Sequence, residues 1–224
     1  MRQWLEGFFV NVQWREIGEA TLDTLSMLGG SLSLTVAFGL PLGVVLFLLG
    51  PKQLLDAPKT YAVLSFAVNV LRSIPFVILL IAMIPVTVLV TGTSFGVAGS
   101  IPSLVVAGTP FFARLIESAL REVDRGIIEA SLAMGATTTQ IVFNALLREA
   151  LPGILAAGTV TAIALVSYTA LAGVVGGGGL GDLAIRYGYQ RFQLDVMAIT
   201  IVLLLLIVQA LQSLGQRLVT RFSH

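Results

Sequence analysis

Long apolar stretches alternate with short polar segments along this chain. A helix that crosses a membrane needs about 20 mostly apolar residues, and the pattern predicts five such helices. They are predicted near residues 25–49, 61–90, 101–120, 151–175 and 196–214. The run 61–71 forms either the lower part of a long second helix or a separate interfacial piece. The pattern therefore predicts an all-α polytopic membrane protein, with a single transmembrane domain over residues 1–224.

Prolines and charged residues interrupt the third predicted span, which contains Pro102, Pro110, Arg114 and Glu117. Proline is tolerated in a membrane helix where neighbouring helices re-satisfy the backbone groups that it leaves free. We therefore expect the third helix to pack inside a bundle of helices.

The first fifteen residues mix charged and aromatic side chains without a long apolar stretch. They include Arg2, Trp4, Glu6, Phe8, Phe9, Trp14 and Arg15. This pattern, with no small-residue cleavage site, favours an interfacial helix over a signal peptide.

Composition narrows the classes of function. Apolar residues make up 56% of the chain and charged residues 11%, a balance typical of polytopic membrane proteins. Cysteine is absent and the one histidine is His224, so the chain offers no thiolate and no usual base for a serine nucleophile. No basic cluster with interleaved aromatic residues indicates a nucleic-acid partner. An intramembrane hydrolase and a thiolate metal site are therefore not expected.

Basic residues are distributed unequally between two sets of predicted loops. One set comprises the loops after the first and third spans and the C-terminal tail, and the other comprises the loops after the second and fourth spans. The first set contains Lys52, Lys59, Arg121, Arg125, Arg148, Arg217 and Arg221, and the second contains Arg186 and Arg191. Loops rich in Lys and Arg lie on the cytoplasmic side. We therefore predict that the N-terminus lies outside and the C-terminus in the cytoplasm.

The predicted cytoplasmic loop at residues 121–150 carries signals for short helices. Asp124 can accept hydrogen bonds from the free backbone N–H groups at a helix start, and Gly135 can take the left-handed conformation that ends a helix. Thr137 with Gln140 has the spacing of a capping box. The loop is therefore predicted to hold one helix that ends at Gly135 and another that starts at Thr137.

The segment from Glu129 to Gly135 in this loop resembles the "EAA…G" coupling helix of permease subunits in ATP-binding cassette (ABC) importers, which an ATPase subunit grips. Glu129, Ala130 and Gly135 stand at the matching positions, and Ser131 replaces the second alanine. The resemblance implies that Glu129 makes a polar contact with the ATPase. It also implies that Ala130 and Ser131 allow close approach and that Gly135 supplies the bend. Glu129 is alternatively a solvated charge or an internal partner of Arg125 or Arg148.

The loop departs from the importer pattern in its second half. Where the pattern has isoleucine followed by a leucine-proline pair, this chain has Ala145 and then Leu147 before Arg148. Leu151 and Pro152 supply such a pair four residues further on.

A second resemblance extends over nearly the whole chain. The sequence is similar, in the same order of motifs, to permeases of the methionine-uptake group of type I ABC importers. The motifs lie at residues 72–76, 83–85, 92–94, 140–142, 149–153, 177–181 and 187–189. The resemblance implies the type I permease fold and a place in the bacterial cytoplasmic (inner) membrane.

The same resemblance implies an assembly. It would contain a second copy of this chain, two cytoplasmic ATPase subunits that bind ATP and magnesium, and an extracytoplasmic substrate-binding protein that delivers L-methionine and also, as an open alternative, D-methionine. The chain itself would be a transport subunit with no catalytic residue, cofactor or metal.

Three polar residues lie in the middle of the fourth predicted span, namely Ser167, Tyr168 and Thr169. Such side chains either line a transport pathway or hold helices together by hydrogen bonds. The glycines from Gly176 to Gly181 follow this span and are interpreted as a sharp turn with close packing. They are not interpreted as a nucleotide site, because neither a strand nor a Lys-Ser/Thr pair accompanies them.

Other classes of membrane protein fit less well. A self-powered secondary transporter would place coupling carboxylates within its spans, whereas the Asp and Glu residues here lie in predicted loops or near span ends. An importer with another small cargo and a purely structural membrane subunit stay open as alternatives.

Overall fold

The computed structural model describes residues 12–223, and this part of the chain is almost entirely helical. The helices are α1 (Trp14–Leu49), α2 (Pro58–Ser73), α3 (Phe76–Ala82), α4 (Ile84–Thr91), α5 (Gly96–Arg121), α6 (Arg125–Ala133), α7 (Thr138–Ile141), α8 (Leu147–Glu149), α9 (Leu151–Val174), α10 (Gly179–Leu183) and α11 (Leu194–Phe222). Two π-helical turns, Val142–Leu146 and Ala184–Tyr189, follow α7 and α10. The predicted interfacial helix lies largely outside the described residues, and α1 begins at Trp14.

Four helices among residues 12–223 are long and apolar enough to cross a membrane, namely α1, α5, α9 and α11. They overlap the first, third, fourth and fifth predicted spans. The pair α2 and α3 passes the same test when it is taken as one broken crossing. The prediction of an all-α membrane protein with about five transmembrane helices is therefore confirmed.

The second predicted span is not one straight helix. α2 ends at Ser73, and α3 starts after Pro75, which has an extended ψ of 132°. A proline disfavours the helical conformation of the residue before it, so the chain bends at this break. Pro85 lies in the first turn of α4, where a missing N–H group costs no helix hydrogen bond. Residues 61–71 therefore lie in a separate helix, α2.

The chain divides into two compact units. One unit consists of the described residues of Leu34–Ser73, Gly108–Thr161 and Gln212–His224. Its main core joins Phe47 of α1 and Ile116 of α5 to Ile128 and Ile141 of the loop. A Cβ atom at Gly43 would lie 2.7 Å from the carbonyl oxygen of Ala113, so α1 and α5 approach closely here. This core holds the loop helices against α1 and α5.

The other unit consists of the described residues of Met1–Ser33, Ile74–Ala107 and Ala162–Leu211. Met27 of α1, Leu104 of α5 and Leu165 of α9 belong to its core. The backbone N–H of Leu180 donates a hydrogen bond of 2.9 Å to the buried hydroxyl of Thr24. Gly179 has a φ of 79°, and a Cβ atom there would lie 2.6 Å from the hydroxyl oxygen of Thr24. The predicted role of the glycine run in sharp turning and close packing is confirmed at this point.

Candidate functional site

The loop helix α6 begins at a side-chain cap. The carboxylate of Asp124 accepts a hydrogen bond of 2.7 Å from the backbone N–H of Gly126. Asp124 itself has a non-helical ψ of 127°, as a residue before the first helical position should. The predicted cap at Asp124 is confirmed, and it fixes where the helix starts after α5 ends at Arg121.

The helix ends in a Schellman motif. The backbone N–H of Ala136 bonds to the carbonyl oxygen of Ser131 at 3.1 Å, and the N–H of Gly135 bonds to that of Leu132 at 2.9 Å. Gly135 has a φ of 81°, a left-handed conformation that costs glycine little. A Cβ atom at Gly135 would meet nothing within 4 Å. The predicted bend is therefore present, and the backbone conformation is the reason for glycine at this position.

The next helix starts at the predicted capping box. The side chain of Gln140 accepts a hydrogen bond of 2.8 Å from the backbone N–H of Thr137, and the hydroxyl of Thr137 accepts one of 3.3 Å from the N–H of Gln140. The Schellman motif and the capping box lie in one short connection between α6 and α7. Together they restrict the angle between the two helices.

One face of α6 is anchored and the opposite face is open. Ile128 is 9% exposed and packs in the core that also contains Leu120 and Ile141. The hydroxyl of Ser131 donates to the carbonyl oxygen of Ile127 at 2.7 Å, so this polar group is satisfied within its own helix. Glu129 is exposed. The face of α6 that carries Ile128 therefore packs in the core, and the face that carries Glu129 stays exposed.

Within residues 12–223, Glu129 forms a weak ion pair with Arg125. Their charged groups are 3.6 Å apart, and their side chains are 70% and 67% exposed. An exposed pair of this kind contributes little to stability. Of the alternatives for Glu129, pairing with Arg125 occurs in the isolated chain, and it leaves the carboxylate accessible to a partner.

Three large apolar side chains of this loop are exposed. Leu132 is 50% exposed, Met134 80% and Phe143 63%. We call Leu132, Met134 and Phe143 the docking surface. Exposed apolar residues in a loop outside the membrane spans are typical of a site that a partner covers, and methionine adapts easily to the shape of a partner. The residue pattern alone did not single out these three side chains.

The structure does not bring the stretch Ser167 to Thr169 to one surface. Ser167 is exposed and lines an apolar groove of about 600 Å³ together with residues of α11. The ring of Tyr168 stacks on that of Phe76, with centroids 4.6 Å apart. Thr169 is buried and donates to the carbonyl oxygen of Val166 at 2.7 Å. Two of the three side chains are therefore used in packing, and Ser167 alone faces an open groove.

Glu117 on α5, which sequence analysis named only as an interruption of the third span, is the centre of a polar group. Glu117 is 3% exposed, and its carboxylate contacts two arginines and a tyrosine. Its position near the end of a predicted span gave no sign of this burial. The i, i+3 and i+4 spacing from Arg114 to Glu117 and Arg121 was the available signal.

Charged groups beyond the glycine run pair among themselves. The carboxylate of Asp182 lies 2.6 Å from the guanidinium of Arg186, and this hydrogen-bonded contact raises the pKa of Arg186. The guanidinium carbons of Arg186 and Arg191 lie 5.3 and 4.6 Å from the ring centre of Tyr187. Cation–π contacts of this kind order the arginines around one aromatic ring.

A family model, related sequences and solved structures all indicate the same family for this chain. A family model described as "Binding-protein-dependent transport system inner membrane component" matches residues 39–224. The probable D-methionine transport system permease protein MetI of Vibrio cholerae is 48% identical over 205 residues, which cover 92% of this chain and 91% of that protein. The methionine import system permease protein MetP of Bacillus subtilis is 43% identical over 210 residues, with 94% and 95% covered.

Solved structures agree with this relationship. A chain from inward-facing conformations of the MetNI methionine ABC transporter matches with a TM-score of 0.93 and 44% identity, covering 94% of this chain and 98% of that chain. A chain of an amino acid ABC transporter with histidines matches with a TM-score of 0.75 and 17% identity, covering 92% of this chain and 94% of that one, which shows likeness of fold alone. The chain therefore belongs to the family of inner-membrane components of binding-protein-dependent transport systems.

Proposed function

We propose that this chain is the permease subunit of an ATP-driven importer in the bacterial inner membrane and that it carries methionine. Two copies form the transport pathway, two cytoplasmic ATPase subunits bind ATP and magnesium, and an extracytoplasmic binding protein delivers the cargo. The observation that carries the coupling role is the docking surface, three exposed apolar side chains on and beside a helix that is capped at both ends.

The proposed mechanism is alternating access. ATP binding draws the ATPase subunits together, each subunit moves the α6 helix that it grips, and the membrane helices rock to open outward. Hydrolysis reverses the movement. Glu129 makes a polar contact with the ATPase, Ala130 and Ser131 allow its close approach, and Gly135 holds the bend that presents the docking surface. The core around Ile128 passes the force to α5 and α1, because a close-packed core transmits displacement.

The proposed orientation follows from the charges. The loop that holds α6 is cytoplasmic, because the connections richer in lysine and arginine face the cytoplasm. The C-terminus is then cytoplasmic and the N-terminus lies outside. Asp182, Arg186, Tyr187 and Arg191 lie on the outer side and contact the binding protein. No charged residue of this chain is assigned to hydrolysis, which takes place on the partner.

The proposed cargo rests on the relatives. Proteins that are 43% and 48% identical over more than nine-tenths of this chain carry names that specify methionine or D-methionine transport. We propose L-methionine as cargo, with D-methionine carried as well. Ser167 is the proposed pathway residue of the fourth span, since it is exposed beside an open groove. Tyr168 and Thr169 support it by packing.

The experiment that tests the docking role compares two matched substitutions. Met134→Asp places a charge in the docking surface, whereas Phe192→Asp changes an equally exposed aromatic residue on the loop before α11. We expect Met134→Asp to abolish co-purification of the ATPase subunit and Phe192→Asp to leave it unchanged. Retention of the ATPase by the Met134→Asp variant would favour the structural-subunit alternative.

A further inference from the structure

A seam of polar side chains runs between α2 and α5. The seam consists of Tyr61, Ser65 and Asn69 on α2 and of Arg114, Glu117 and Arg121 on α5. Residues spaced by three or four positions lie on one face of a helix, so two polar stripes face each other. Leu46 of α1, Val68 of α2 and Ala113 of α5 form a small buried apolar cluster.

Glu117 is the centre of this seam. Its Oε1 atom accepts a hydrogen bond of 2.9 Å from the hydroxyl of Tyr61 and one of 2.8 Å from Arg121, and its Oε2 atom lies 2.5 Å from Arg114. The side chain is 4% exposed, against 16% for Arg114 and 38% for Arg121. The buried carboxylate of Glu117 therefore contacts Tyr61 of α2 and two arginines of its own helix at the same time.

Arg114 makes the second tie to α2. Its guanidinium donates to the carbonyl oxygen of Ser65 at 3.0 Å and to the side-chain oxygen of Asn69 at 3.2 Å, and it also contacts the hydroxyl of Ser65. The guanidinium of Arg121 lies 6.0 Å from the ring centre of Tyr61. Every polar contact of the seam is thus made across the same pair of helices or within α5.

A polar seam restricts the relative position of two helices more than apolar packing does. Apolar side chains of similar volume often hold two elements at least as strongly as a buried ion pair, because burying charge is costly. Directional hydrogen bonds accept only a narrow range of positions. Sliding α2 along α5 would separate the Tyr61 hydroxyl from Glu117 and the Arg114 guanidinium from Ser65 and Asn69, so the seam favours one register.

The seam adjoins the loop that carries α6. Arg121 is the last residue of α5, and Asp124 caps the start of α6. Ile116 and Leu120 lie next to the seam residues on α5, and both pack in the core with Ile128 of α6. The C-terminal part of α5 therefore shares an apolar core with α6 and contacts α2 through Glu117.

We infer that Glu117 is a positioning residue that fastens α2 to α5, so that α2 moves together with α6 when the ATPase subunit moves α6. The inference rests on the proposed function, because it assigns a route for the coupling movement within this chain. α2 is followed along the chain by Pro75 and α3, so a displaced α2 carries the movement to the break in the second span.

The first test measures how many methionine molecules enter per ATP hydrolysed, in proteoliposomes with the complete importer. Tyr61→Phe removes the hydroxyl that ties α2 to Glu117 and keeps the ring, and Glu117→Gln removes the charge. Glu19→Gln is the matched control, since Glu19 is 61% exposed and pairs with Arg15 on its own helix. We expect uptake per ATP to fall by about tenfold in both seam variants, within the range typical of coupling between sites, while the control keeps the wild-type ratio. An unchanged ratio in Tyr61→Phe, with folded complex present, would overturn the inference.

The second test does not depend on the cargo. Because the natural chain has no cysteine, spin labels can be attached at Lys59→Cys on α2 and Thr139→Cys on α7, and singly labelled chains identify distances between copies. We expect the distance between α2 and α7 to stay the same on nucleotide binding in the wild type and to change in Glu117→Gln and Tyr61→Phe. A nucleotide-dependent change of this distance in the wild type would contradict a fastened α2. If the wild type imported no methionine, the proposed cargo would fail and this distance would decide the inference by itself.

Discussion

Replacement of Gly135 tests whether the backbone conformation at the end of α6 presents the docking surface. Gly135 has a φ of 81°, and a Cβ atom there would meet nothing within 4 Å. A side chain therefore costs only the conformational strain of a left-handed residue, about 1–2 kcal/mol. That strain corresponds to a factor of roughly 5–30 in the equilibrium between the formed and the unformed helix end. Asparagine tolerates the conformation better than other residues, and valine tolerates it poorly.

The assay is a titration of the solubilised permease with its ATPase subunit. We expect Gly135→Val to weaken the affinity by roughly 5–30-fold and Gly135→Asn to weaken it much less, because the binding-competent helix end is rarer in the valine variant. Equal losses in the two variants would show that a side chain collides with the partner, and full affinity in Gly135→Val would show that the helix end is not required. Either result would refute the conformational reasoning.

Three further predictions concern the anchoring of α6 and the packing of α9. Asp124→Ala should lower the stability of the helix start by about 1 kcal/mol and Asp124→Asn by less, measured by hydrogen exchange at the N–H of Gly126; equal exchange in both variants would contradict the cap. Ile128→Ala should destabilise the chain by about 2–5 kcal/mol, whereas Leu132→Ala should leave thermal unfolding near the wild type and weaken ATPase binding, and the reverse order would disprove the assignment of faces. Tyr168→Phe should keep uptake close to the wild-type rate, because the ring stack with Phe76 remains. A large loss of uptake at normal protein levels would instead place the hydroxyl of Tyr168 in the pathway.

Local signals in the sequence predicted the loop well. Three features of the loop were predicted: the cap at Asp124, the left-handed Gly135 and the capping box at Thr137. In each of them the interacting groups are at most five residues apart in the chain. Such interactions are determined by residue type and spacing, with little influence from the rest of the fold. The family resemblance was carried by motifs of the same local kind.

Features that depend on distant residues were not predicted. The hydroxyl that meets Glu117 comes from Tyr61, 56 positions earlier in the chain, and nothing in the spacing joins the two. Ser167, Tyr168 and Thr169 were treated as one set, yet consecutive residues of a helix point in different directions, so their side chains have different surroundings. The docking surface likewise depends on which apolar side chains the core leaves exposed.

The most direct test of the proposed function is ATP-driven uptake of labelled L-methionine into proteoliposomes that hold this permease with its ATPase and are supplied with its binding protein. We expect uptake that requires ATP and that is reduced in Gly135→Val while the folded permease dimer persists. ATP-driven uptake of another solute without methionine would contradict the cargo, and uptake that persists without ATP would contradict the importer itself.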